Sequence, residues 1–105
     1  MTEVVDISLD AILAKLRELA PAIRAEGVTR LAVFGSRARG DARPDSDLDI
    51  VIETVPHQAG KPFFDRFKVM HLIEDATGIT TQISDYELLK PRVKERIADD
   101  LIEVI

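Results

Sequence analysis

Gly35-Ser36-Arg37-Ala38-Arg39-Gly40-Asp41-Ala42-Arg43-Pro44-Asp45-Ser46-Asp47-Leu48-Asp49 is the stretch on which the reading of this chain turns. Leu31 to Phe34 enters it as a short apolar run of the length of a buried strand, and Gly35 ends that run with a residue that tolerates any backbone angle. Ser36 to Arg39 can then open a short helix whose free N–H groups face an incoming anion, with Gly35 letting that anion approach the main chain. The Ser36 hydroxyl is a donor, and Arg37, Arg39 and Arg43 place positive charge nearby. An ordinary strand-to-helix turn would carry the same Gly-Ser pair, and Arg37 reads equally well as a solvated surface arginine.

The second half of the stretch separates these readings. If 47–53 is a strand, alternation points Asp47 and Asp49 the same way and Leu48 the other. Two carboxylates held side by side repel and raise one another's pKa unless a cation lies between them. Magnesium, a hard cation that favours carboxylates and substrate phosphates, is the natural choice.

Taken together, Gly35-Ser36, ten intervening residues and Asp47-Leu48-Asp49 resemble the signature of the nucleotidyltransferase superfamily that includes DNA polymerase beta and kanamycin nucleotidyltransferase. The length of 105 residues narrows the resemblance to the minimal nucleotidyltransferases, which are commonly paired with a HEPN-domain partner. The resemblance implies a polymerase beta-like fold and Mg2+-dependent transfer of AMP from ATP to a hydroxyl of a HEPN ribonuclease toxin. It further implies that Asp47 and Asp49 are the catalytic metal ligands and that Gly35, Ser36 and Arg39 hold the nucleotide. A third carboxylate of the superfamily comes from a later strand, and alignment on Leu89-Lys90-Pro91 puts Gln82 there. Glutamine offers a carbonyl oxygen to a metal but cannot act as a base near neutral pH. A second reading therefore stands beside the first: a binding module that neutralises its partner by masking it. Transfer to a small molecule or an RNA end is a third reading, and the least supported.

Composition is compatible with this class. The length suits one domain over 1–105, with a modest core and no room for a separate substrate-binding domain, so a partner is expected to complete the substrate site. There is no cysteine, which excludes disulfides and thiolate metal sites. A formal charge of -5 argues against an extended nucleic-acid surface, although arginines gather beside the proposed site. Neither a leader signature at residues 1–6 nor a run long and apolar enough for a membrane is evident, so a cytoplasmic location is expected.

Around the motif, Ser8 reads as an N-cap for a helix carrying Leu9, Ile12, Leu13, Leu16, Leu19, Ala20 and Ile23, which Pro21 should kink or divide and Gly27 should end. Strands are expected at about 29–34 and 47–53. Phe63, Phe64, Phe67, Met70 and Ile73 mark a second amphipathic helix, with the phenylalanines in the core, which Gly78 stops. A strand over 79–83 and a Ser84-to-Glu87 capping box opening a third helix follow. Lys90, Arg92, Lys94 and Arg96 read as a solvated helix face, and 101–105 as a docking strand or a segment packed under a partner. Neither His57 nor His71 has a second ligand at zinc spacing. The whole is a small α/β (α+β) domain: a mixed sheet of three or four strands with helices mainly on one face.

Overall fold

The computed structural model describes residues 7–105; the 1–6 segment, read above for a leader signature, lies outside them. Ser8 caps the first helix by accepting the Ala11 N–H at 3.1 Å, and α1 runs over Leu9–Ala25. Pro21 does not divide it. The ring sits on the exposed side, while Leu16, Ala20 and Ile23 are buried around it. Large aliphatic side chains such as Leu16 and Ile23 each contribute roughly 1.5–3 kcal/mol of burial. Several of them together offset a proline cost of about 3 kcal/mol.

Four strands form the sheet: β1 (Val28–Phe34), β2 (Leu48–Thr54), β3 (Thr81–Asp85) and β4 (Ile102–Glu103), in the order β3-β2-β1-β4. β2 and β4 pair antiparallel with β1, and β3 pairs parallel with β2, as a crossover helix, α3 (Arg66–Thr77), requires. The expected mixed sheet is therefore present with four strands, β4 being the expected docking strand. Alternation sorts the side chains. Leu31 and Val33, Leu48, Ile50 and Ile52, and Ile83 all join α1 and α3 in one core. Asp49, Val51 and Glu53 consequently face the other side of the sheet.

Three expectations are corrected. α3 begins at Arg66, not at Phe63, because Asp65 Oδ1 accepts the N–H groups of Phe67 (3.0 Å) and Lys68 (3.3 Å) and fixes the start there. The core face of α3 is Val69 and Ile73. Phe67 stands two residues before Val69, about 200° round the helix, and is 66% exposed. Phe63 lies outside the helix, stacked on His57 with ring centroids 3.8 Å apart, and only Phe64 of the three packs against the core. The third strand is displaced from 79–83 to Thr81–Asp85: Ile79 is buried from the preceding turn, where its N–H is taken by the Thr77 hydroxyl at 3.2 Å. Ser84 stays in that strand, and it is Asp85 that caps a 3₁₀ turn, Tyr86–Leu88, through the Glu87 N–H. The third helix expected there, α4 (Pro91–Ile97), starts at Pro91 instead.

The loop between the two motif halves is held from below by Arg37. This side chain is 5% exposed, and its Nε and Nη2 donate to Ser46 O at 3.0 and 2.8 Å, with Nη2 also reaching Pro44 O at 3.2 Å. It is neither a surface arginine nor a free cation for a phosphate. Its fork of donors is spent on carbonyls that would otherwise be unpaired.

Arg37→Ala should lower stability by about 2–4 kcal/mol, seen as a lower urea midpoint, because it strands buried carbonyls and leaves a void. Arg37→Lys should recover only part, lacking the planar fork. Ile73→Ala should cost about 2–5 kcal/mol, whereas Phe67→Ser should stay within about 0.5 kcal/mol in the same titration.

Candidate active site

Gly35 sits at φ +78°, in the region closed to most side chains, at the junction between β1 and the one-turn helix α2 (Ser36–Arg39). A Cβ built there would land on Oδ2 of Asp49 and within 3.2 Å of its Cγ. The cause is register: Phe34 pairs with Asp49 across β1 and β2, so the residue after Phe34 turns directly over that carboxylate. In α2 the first intrahelical donor is Arg39 N–H, to Gly35 O at 3.0 Å, so the N–H groups of Ser36, Arg37 and Ala38 precede the ladder. The turn at Gly35 and the acidic strand thus meet at one sheet end.

Asp47 immediately precedes β2 and Asp49 lies one residue inside it. Asp49 pairs in register with Gln82 of β3, and Gln82 Nε2 donates to Asp47 Oδ2 at 3.1 Å. The three side chains therefore gather at one corner. Among the described residues no three of His, Cys, Asp and Glu form a metal-binding cluster. The acidic pair nonetheless fits a hard cation, because it presents two neighbouring carboxylates and the Gln82 amide oxygen, while triphosphate and water can supply the remaining ligands.

A cleft of about 470 Å³ opens beside this corner, lined by Gly35, Ser36, Arg39 and Asp49 on one side and by Arg96, Ile97 and Asp100 on the other. Arg39 lines the cleft, but it is engaged: Nη1 donates to Asp100 at 2.9 Å and Nε to Asp41 at 3.2 Å. Those two hydrogen bonds, Asp100 first, raise its pKa further. Arg43 does not line the cleft. Arg96, Ile97 and Asp100 had no signal in the sequence, since only the return of α4 to the open face of the sheet brings them here. A smaller recess of about 220 Å³ on that face, between Arg30, Val51, Tyr86 and Leu101, contains none of the motif residues.

Burial pushes the Asp49 carboxyl above its usual range, the neighbouring Asp47 charge pushes it further, and Arg39 partly opposes both. In acid, Asp49 is protonated in both the folded and the unfolded chain and contributes no difference. As pH rises the unfolded chain ionises first; the folded chain then holds the extra proton, and stability falls until the raised pKa is passed. Asp49→Asn should therefore be more stable than the unaltered chain at about pH 7, with the gain shrinking to nothing below about pH 3.5. Thermal melts across that range would show the convergence.

With the geometry in place, three likenesses bear on it. A candidate protein adenylyltransferase of Methanocaldococcus jannaschii is 29% identical over 89 residues, covering 85% of this chain and 92% of the relative. The structure of a candidate minimal nucleotidyltransferase superposes with a TM-score of 0.74 at 29% identity, over 91% of this chain and 95% of the other. A chain in the complex of tri-AMPylated Shewanella oneidensis HEPN toxin with MNT antitoxin shares the fold, with a TM-score of 0.61 at 10% identity over 90% of this chain and 71% of that one. The model of the nucleotidyltransferase domain family matches residues 9–104, so that the turn at Gly35, the acidic strand and the four-stranded sheet lie within a single familiar unit: the chain belongs to the nucleotidyltransferase domain family.

Proposed function

We propose that this protein transfers AMP from ATP to a hydroxyl of a HEPN-type toxin and so acts as its antitoxin in the cytoplasm. The observation that carries the reading is the seating of the Asp49 carboxylate in the space a side chain at 35 would fill. It brings phosphate donors and metal ligands within one nucleotide's reach. The relative named for protein adenylylation and the fold shared with an antitoxin of an AMPylated toxin support the same direction.

In this reading Ser36 and the neighbouring N–H groups orient the triphosphate, and Arg39 adds charge once freed from Asp100. Asp47 and Asp49 would hold magnesium, which supplies charge neutralisation to the phosphates when bound. The acceptor oxygen forms a bond to the α-phosphorus, the bond from that phosphorus to the bridging oxygen breaks, pyrophosphate leaves, and the hydroxyl proton passes to solvent. Gln82 can hold the acceptor or the Asp47 carboxylate in place but cannot take that proton. The chain is thus built to bind and orient more than to deprotonate.

Gln82 also motivates the second reading, in which neutralisation is by masking the partner. Incubation with α-labelled ATP, magnesium and the HEPN partner separates the two. Label on the partner, lost in Asp47→Asn plus Asp49→Asn, is the expected result; no label, with neutralisation intact in that double variant, would overturn it in favour of masking. Gln82→Asp should raise the transfer rate by about a hundredfold, the lower end of general-base contributions.

A further inference from the structure

We propose that Arg96 is the side chain that grips the terminal phosphates of the bound nucleoside triphosphate. This rests on the nucleotidyltransferase reading and adds a residue that the motif does not contain. The cleft has two guanidinium groups, Arg39 and Arg96. Arg39 is tied to Asp100 and Asp41, so an entering phosphate must displace two carboxylates to use it. Arg96 makes no side-chain hydrogen bond or ion pair among the described residues and exchanges only water for phosphate oxygen.

Charge balance points the same way. Asp49 and Asp100 line the cleft and Asp47 stands beside it, while Arg39 is already matched by its two carboxylate partners. A cation bound at the acidic pair would share its charge between the two carboxylates and the triphosphate, leaving part of the terminal phosphates' charge to be met by the chain itself. Arg96 lines the same cleft as Gly35 and Ser36 and can meet that charge. The backbone that carries it is anchored, although its side chain is exposed. Pro91 sets the first turn of α4, and the adjacent Ile97 is 4% exposed, anchoring the last turn against the body of the domain. A guanidinium on an anchored backbone loses less freedom on binding than one on a mobile loop. The planar fork suits two phosphate oxygens at once.

A purely local role is the competing explanation, since Arg96 lies in the last turn of α4, where a cation favours the helix dipole. That role would change helix stability and leave nucleotide affinity alone. Arg92, one turn earlier on the same helix and absent from the cleft lining, supplies the control.

Calorimetric titration of the intact chain with ATP and with AMP, both in magnesium, tests the assignment. Arg96→Ala should weaken ATP binding by about 10- to 100-fold, the scale of one charge-assisted contact, and change AMP binding by less than about threefold. Arg96→Lys should restore part of the ATP affinity, and Arg92→Ala should leave both ligands unchanged. Melting curves of each variant confirm that the fold is retained. Equal ATP affinity in Arg96→Ala, an equal loss for ATP and AMP, or the same loss in Arg92→Ala would each overturn the assignment while leaving the wider reading standing. If the unaltered chain bound no ATP at all, the nucleotidyltransferase reading itself would fall, and this inference with it.

Discussion

The contact between the Gly35 backbone and the Asp49 carboxylate is the constraint on which the remaining architecture depends. No side chain fits at position 35, both because φ is +78° and because Asp49 occupies the space. The pairing of Phe34 with Asp49 fixes this approach, and that pairing in turn requires β1 and β2 to run antiparallel in one register. A slip of one residue would send Asp49 into the core and Ile50 to the cleft. The Leu48, Ile50 and Ile52 face, buried against α1 and α3, forbids the slip. Packing on one side of the sheet thereby sets the chemistry on the other.

Holding acidic groups at a half-buried corner works against stability, and the fold compensates locally. Arg37 is buried beneath the connecting loop and draws its carbonyls inward, so the fifteen-residue motif is braced from inside and not by its own turn residues alone. Arg39 couples the motif to Asp100, at the far end of the chain, across the cleft. The two arginines are separated by one residue yet perform opposite tasks. One holds the loop carbonyls from within; the other pairs with the carboxylates of Asp41 and Asp100 at the surface.

Much of this was legible in the residues. The lengths of the apolar runs, the cap at Ser8 and the stop at Gly78 located the main elements, and the Gly-Ser and Asp-x-Asp spacing singled out residues that meet at one sheet end. What escaped sequence reasoning depends on non-local geometry. Arg37 looks like Arg39 in sequence because burial is decided by where the loop 40–47 folds over α2. The three phenylalanines suggested a core face, but the Asp65 cap resets the helix phase and turns Phe63 and Phe67 to solvent. Arg96 and Asp100 entered the cleft only because β4 pairs with β1 at the sheet edge and carries the preceding segment back with it.

Gln82 illustrates how a single residue at such a corner balances competing demands. A carboxylate at this register would set three negative charges around Asp47 and Asp49, and the empty site would then depend heavily on a bound cation. Glutamine instead donates an N–H to Asp47 Oδ2, so one member of the acidic pair has a neutral partner. The amide oxygen stays free to meet a cation or an acceptor hydroxyl. Repulsion in the empty site falls, and the capacity to accept a proton goes with it. The contact between Gln82 and Asp47 is one that the folded chain makes without a cation. For a protein whose proposed task is to engage a partner as well as a nucleotide, that independence supports recognition even where it slows transfer.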